Sequence, residues 1–363
     1  MSDDHISMRQ VLTLLFSALL SPAIRLLPGR TAEAAGTAGW LSSLAALPVL
    51  LGLCWVLFAL LRPAGETPPD GLAGVMVEVF GRPVGKTLCV LYLVWGVFLL
   101  CANTRLVALR FLSTSYRNAP LGLFIVVLLA VTLWLTLKPV RVLARVGEIF
   151  YLALAIGLGA ALLFGALQIR PRNVLPVWVE DVPGILSGVV PVLGLLGYAV
   201  FAAFLTGHVR PRGGDRRHLL RWAALFCVVL TALQLVCLGS FGPGLTVRME
   251  SPFFMMVKGI GVEGTFQRVE SLFISLWVLS DLALLAFLTG ACASLAKATF
   301  AYKDRRWGAP VILVAALLGA LLLFPDVFLL DKITRWIILP GNLIFGFLLP
   351  ALTLLTKRLR RQV

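Results

Sequence analysis

The feature that most constrains this chain is a succession of apolar stretches, each long enough to cross a bilayer. They lie at 10–28, 37–61, 84–106, 119–137 and 146–168, and again at 184–207, 219–241, 268–295, 308–325 and 336–356. A hydrocarbon core about 30 Å thick takes about 20 residues of helix, and a segment in lipid must satisfy its own backbone hydrogen bonds, which a helix does. The expected fold is therefore an all-α polytopic membrane protein with ten transmembrane helices in a single membrane domain. Charge agrees: 13% of the 363 residues are Asp, Glu, Lys or Arg, against about 25% in soluble domains.

The formal charge of +15 does not point to nucleic acid, because the basic residues fall in short clusters between apolar runs, as orientation signals do. "HVRPRGGDRRH" (208–218) and the tail "KRLRRQV" (357–363) are the densest. With the N-terminus inside, most of the 32 Lys and Arg residues fall on the inner side, so both termini are expected in the cytoplasm. The opening "MSDDHISMRQ" is acidic and a poor signal-peptide start, so the first run is expected to remain in the mature protein. The cysteines (Cys54, Cys89, Cys101, Cys227, Cys237, Cys292) all sit in apolar runs without CxxC spacing, and the three histidines have no HExxH spacing. They read as packing residues, not metal ligands. No phosphate-binding loop, nucleophile elbow or paired-carboxylate pattern supports catalysis, and no cofactor is expected.

The runs divide into five before the loop at 169–183 and five after it, so 10–168 and 184–356 are expected to form two five-helix units of opposite orientation, with 357–363 as a basic tail. The interruptions match. Ser21-Pro22 lies eleven residues into the first run, and Gly194 to Gly197 ("GLLG") lies at a similar depth in the sixth. Eleven residues rise about 16 Å, half the hydrocarbon thickness. Paired interruptions of this kind point to a transporter-like central site, although each alone is also read as an ordinary kink.

Several motifs resemble the spore germination permease family, the integral B subunits of bacterial germinant receptors. "LPVWVEDVPGILSG" (175–188) offers Leu175, Pro176, Pro183, Gly184 and Gly188; "ESPFFMMVKGIGVEGTFQRVESLFISLW" (250–277) offers Pro252, Arg268, Glu270 and Trp277. Ile6, Ser7, Gln10, Gly39, Trp40 and Ser42 look similar too. The resemblance implies the fold of the amino acid–polyamine–organocation superfamily: a LeuT-like 5+5 inverted repeat with helices one and six discontinuous. It also implies a nutrient sensor in the spore inner membrane, partnered by an A-type membrane subunit and a C-type lipoprotein. Family members usually carry a Gly-containing break in the first helix. Ser21-Pro22 stands there in this chain, so the family's ligand is not carried over.

The expected ligand is a small amino-acid-like zwitterion that triggers germination; the alternatives are an H⁺- or Na⁺-coupled amino acid or amine transporter, or a scaffold with a vestigial pocket. Ser21 is a good N-cap and Pro22 a good first helical residue. A helix restarting there would leave the amides of Ala23 and Ile24 free for a carboxylate. Arg25, one turn further on, is read either as steering that carboxylate or as snorkelling to the interface. Gly194 and Gly197 serve either unwinding or tight packing, Tyr198 adds an aromatic wall, and Asn103 is expected to face the central cavity. Glu270 and Asp281 are eleven residues apart and within about 20° of one helix face, with Trp277 between them. Intramembrane acids are candidates for ion or proton coupling, and Asp281 is the deeper of the two.

Overall fold

The computed structural model describes residues 5–62, 71–114, 120–209, 214–259, 269–302 and 304–362. The chain begins with α1 (Met8–Ala35), which starts where local chemistry dictates. The Ser7 hydroxyl accepts the Gln10 N–H at 3.3 Å while the Gln10 side chain accepts the Ser7 N–H at 3.0 Å. This reciprocal capping box satisfies two amides that an isolated helix end leaves open. At the other end Gly36 takes φ 54°, a conformation glycine adopts without strain. The chain then folds back through a 3-10 turn (Gly36–Leu41), so closely that a Cβ on Gly39 would lie 2.6 Å from the Thr31 carbonyl.

Two helices, α2 (Ser42–Ala45) and α3 (Leu47–Leu61), complete the second run. After them come α4 (Gly71–Phe80), α5 (Arg82–Thr114), α6 (Leu121–Leu137) and α7 (Val140–Ala166). Next is α8 (Val182–Leu196), which passes directly into a 3-10 segment (Gly197–Phe204), and then α9 (Asp215–Phe241), α10 (Pro243–Arg248), α11 (Pro252–Lys258), α12 (Val269–Phe300) and α13 (Gly308–Leu322). The last stretch is α14 (Val327–Ile333), α15 (Leu339–Leu343) and α16 (Leu349–Gln362), joined by π-helical turns at Thr334–Ile338 and Ile344–Leu348.

Among the described residues, eight helical stretches are long and apolar enough to cross a membrane. The first, Met8–Leu61, is 54 residues long and contains the reversal at Gly36. The apolar helices α4 and α6 are shorter, at 10 and 17 residues. Sequence reading placed no helix at α4, which is far too short to register as a span.

The surface is that of a protein bathed in lipid. On α7, Ile149, Ile156 and Leu163 are 67%, 66% and 67% exposed and recur every seven residues, so they form one apolar stripe. The interior holds the polar residues instead: Ser17, Ser21, Asn103, Thr104, Ser280 and Asp281 are all buried. Helix α1 runs through this interior, packed against α7, α8, α9 and α12.

The start of α1 and the end of α16 lie at one face of the bundle. Met8, Arg62, Val209 and Asp215 line one mostly apolar cavity of about 180 Å³ there, and the Lys357 Nζ donates to the Leu60 carbonyl at 3.0 Å. The segment before α1 is fastened beneath the sixth run, with the Ile6 N–H donating to the His208 carbonyl at 2.9 Å.

Candidate functional site

Midway along α1, Pro22 supplies no N–H to the Ala18 carbonyl and crowds it. At the adjacent rung, one residue earlier, the Ser280 hydroxyl from α12 enters the ladder, donating to the Ser17 carbonyl at 2.5 Å and accepting the Ser21 N–H at 2.8 Å. A side chain inserted at a proline is a recognised cause of helix distortion. The helix nevertheless continues: α1 is helical from Met8 to Ala35 with Pro22 and Pro28 inside it. The expectation that the first helix is discontinuous, restarting at Ser21, is thereby corrected. Ser7 is the N-cap of this helix, and the amides of Ala23 and Ile24 lie within it instead of pointing freely at a ligand. The physical reason is the neighbouring helix. Ser280 bridges the Ser17 carbonyl and the Ser21 N–H beside Pro22, so these backbone groups keep a partner and the chain need not unwind there.

The Ser21 hydroxyl, freed from any capping duty, is the hub of a buried cluster. It donates to Asp281 Oδ1 and accepts from Arg110 Nη1 at 2.8 Å and Trp277 Nε1 at 3.0 Å. A hydroxyl has one proton and two lone pairs, so all its capacity is used. Arg110 Nη1 also reaches both Asp281 oxygens, at 3.0 and 2.7 Å, and its guanidinium carbon lies 4.3 Å from the centre of the Trp277 ring. The side chains of this ion pair are 14% and 3% exposed. The structure thus joins three of the residues singled out from sequence, Ser21, Trp277 and Asp281, and adds two that were missed, Arg110 and Ser280. Arg110 was passed over because the third run was ended at residue 106, just after the charged Arg105, whereas α5 extends to Thr114. The signal available was chemical: a buried acid such as Asp281 requires a cation nearby. Arg268 and the Glu270 side chain lie outside the described residues.

A second cluster forms around the sixth run. The expectation that the sixth helix is discontinuous, unwound at Gly194 to Gly197, is corrected as well: α8 runs without a gap into a 3-10 helix at Gly197, a change of winding and not a break. Here α15 presses against the backbone: a Cβ on Gly197 would lie 2.4 Å from the Asn342 carbonyl oxygen. The Asn342 side chain donates to the Gly194 carbonyl at 2.9 Å and accepts from Trp95 Nε1 at 3.0 Å. Nearby, Asn103 Nδ2 donates to the Leu99 carbonyl at 2.8 Å and to the Tyr198 hydroxyl at 3.0 Å. The two glycines, Asn103 and Tyr198 were each singled out from the sequence, but the hydrogen bond between Asn103 and Tyr198 was not foreseen. Asn342 and Trp95 were not singled out, since a lone amide or indole in an apolar run carries no pattern.

Arg25 lies one turn beyond Ser21, close enough to act electrostatically on Asp281 and Tyr198. Its Nη2 is buried without a hydrogen-bond partner, and it lines a cavity of about 410 Å³ together with Arg110, Arg248, Glu33 and Glu250. The rim is tied by ion pairs: Arg30 Nη2 contacts both Asp331 oxygens at 2.8 and 2.9 Å, and Arg335 Nη2 contacts Glu33 at 2.5 Å. These pairs latch the end of α1 to the start of the last apolar stretch, at the face opposite the start of α1. Arg110 lines this cavity and also a space of about 10 Å³ beside Asp281, so its side chain is the wall between them.

Comparison with known proteins agrees with this architecture. A family model described as spore germination protein matches residues 5–325. Spore germination protein KB of Bacillus subtilis (strain 168) is 21% identical over 281 residues, covering 75% of this chain and 73% of that protein. Among solved structures, a Na⁺-coupled sialic acid symporter in its substrate-bound outward-open state superposes with a TM-score of 0.64 at 10% identity, covering 94% of this chain and 79% of the symporter. The fold is therefore transporter-like. With the family model spanning residues 5–325 of the 363, the protein belongs to the spore germination permease family.

Proposed function

We propose that this chain is the integral membrane subunit of a nutrient germinant receptor, and that it binds a small amino-acid-like ligand in the cavity lined by Arg25 and Glu250 to trigger germination. The observation that carries the reading is the unpartnered Arg25 Nη2 in a roomy cavity that also presents the Glu250 carboxylate. Opposite charges on one wall suit the two ends of a zwitterion. A buried guanidinium donor left unpaired is costly, and a carboxylate would relieve it. In this reading Ser21, Pro22, Asp281 and Trp277 form the floor beneath Arg25. Asn103, Gly194, Gly197 and Tyr198 hold the sixth run against it, while Ala23 and Ile24 contribute helix packing.

The same reading takes the transmembrane helices as ten. The 54-residue first stretch supplies two crossings and α6 another, and the start of α1 and the end of α16 at one face require an even number. Two five-helix units, 10–168 and 184–356, then form an inverted repeat, with cytoplasmic termini in the spore inner membrane. An A-type membrane subunit and a C-type lipoprotein would complete the receptor. The test is a spore lacking this chain, complemented with it and exposed to single L-amino acids, alongside labelled amino acid uptake by the purified protein in proteoliposomes. Restored germination without accumulation fits the receptor. Accumulation would identify a working transporter instead.

A further inference from the structure

We infer that Arg110 is a built-in counter-ion, standing where a free inorganic cation would otherwise neutralise Asp281, so that this chain needs no Na⁺ to hold its α1–α12 junction together. The surroundings are those of a small-cation site. Asp281 is 2% exposed, Ser21 supplies a hydroxyl oxygen, and the backbone ladder is interrupted beside it, by the Ser280 hydroxyl at Ser17 and by the missing Pro22 donor at Ala18. Oxygen donors of this kind suit hard cations. In place of such an ion the guanidinium reaches both carboxylate oxygens and the Ser21 hydroxyl. The space remaining beside them, about 10 Å³, is at the lower limit of the roughly 10–15 Å³ a single water requires. Charge and room are both taken. In this chain a side chain from α5 supplies the positive charge that Asp281 needs. The inference concerns the ion pair alone and does not rest on the identity of the ligand.

The experiment measures the melting temperature of the purified protein in detergent against NaCl, with N-methyl-D-glucamine chloride holding ionic strength constant. The native protein is expected to melt at one temperature across the series. Arg110→Ala, which opens the space and leaves Asp281 charged, is expected to melt lower and to climb steadily with the logarithm of Na⁺ concentration, as a binding ion stabilises a folded state. The double variant Arg110→Ala/Asp281→Asn is expected to lose that dependence. A saturable Na⁺ dependence in the native protein overturns the inference, and so does an Arg110→Ala protein indifferent to Na⁺. Should Arg110→Ala alone not be recovered from membranes, recovery of the double variant upholds the charge-neutralising role, and loss of both overturns it.

Discussion

The first and sixth apolar segments are both distorted midway along their length, but the distortions are built differently. In α1 a proline withholds a donor, a hydroxyl from α12 bridges the adjacent backbone groups, and an ion pair is buried beside them. In the sixth segment glycines admit α15 to backbone contact, and a neutral amide, Asn342, takes the carbonyl of Gly194. The first arrangement concentrates charge and the second concentrates close packing. Where a helix must be distorted inside a membrane protein, the missing backbone partner comes from another helix. The chemistry of that partner then decides what the site can do.

The comparison is broken most strongly at its charged side. Arg110→Ala strands a buried carboxylate, and removing one member of a buried pair costs roughly 3–5 kcal/mol. A large drop in melting temperature and in membrane abundance is expected, with Arg110→Lys recovering most of it because the charge stays. On the packing side, Gly197→Ala drives a methyl into the Asn342 carbonyl at 2.4 Å. Overpacking of this kind costs about 1–3 kcal/mol, so the loss should be smaller and should not depend on salt. Asn342→Leu leaves the Gly194 carbonyl and the Trp95 indole N–H unpaired and should cost about 1–3 kcal/mol. Thermal melts of the three variants at low and high salt rank the two sides; a packing variant more damaging than Arg110→Ala would reverse the comparison. The smallest effect is expected far from both: Ser7→Ala removes the α1 cap, worth about 1 kcal/mol, and should fray the first turn in hydrogen exchange while leaving ligand response unchanged.

These two regions also mark how far the sequence could be read. Long apolar runs in lipid have essentially one backbone solution, so each run expected from the sequence coincides with helix in the structure. The glycines of the sixth segment were legible because glycine alone permits the approach of Asn342. The first segment was misread: Ser-Pro carries the local signature of a helix start, and no local rule reports that Ser280, 259 residues away, would hold the helix continuous. The types of residue at the floor, a serine, a tryptophan and an acid, were legible as candidates. Their convergence was not, because it depends on Arg110, which sits past the charged residue that appeared to end the third run. Asn342 left no trace in the pattern for the same reason: its significance arises only when α15 meets Gly194.

The central claim is that the unpaired guanidinium of Arg25 receives the anionic end of the ligand. It is tested most directly by the germinant concentration giving half-maximal response in spores carrying Arg25→Gln, normalised to membrane abundance. A hydrogen bond to a charged group contributes about 1.5–3 kcal/mol, so the half-maximal concentration should rise by roughly 10- to 100-fold, with the melting temperature nearly unchanged. An unchanged half-maximal concentration in a normally abundant Arg25→Gln protein would contradict the account and leave Arg25 as an anchor of α1 alone.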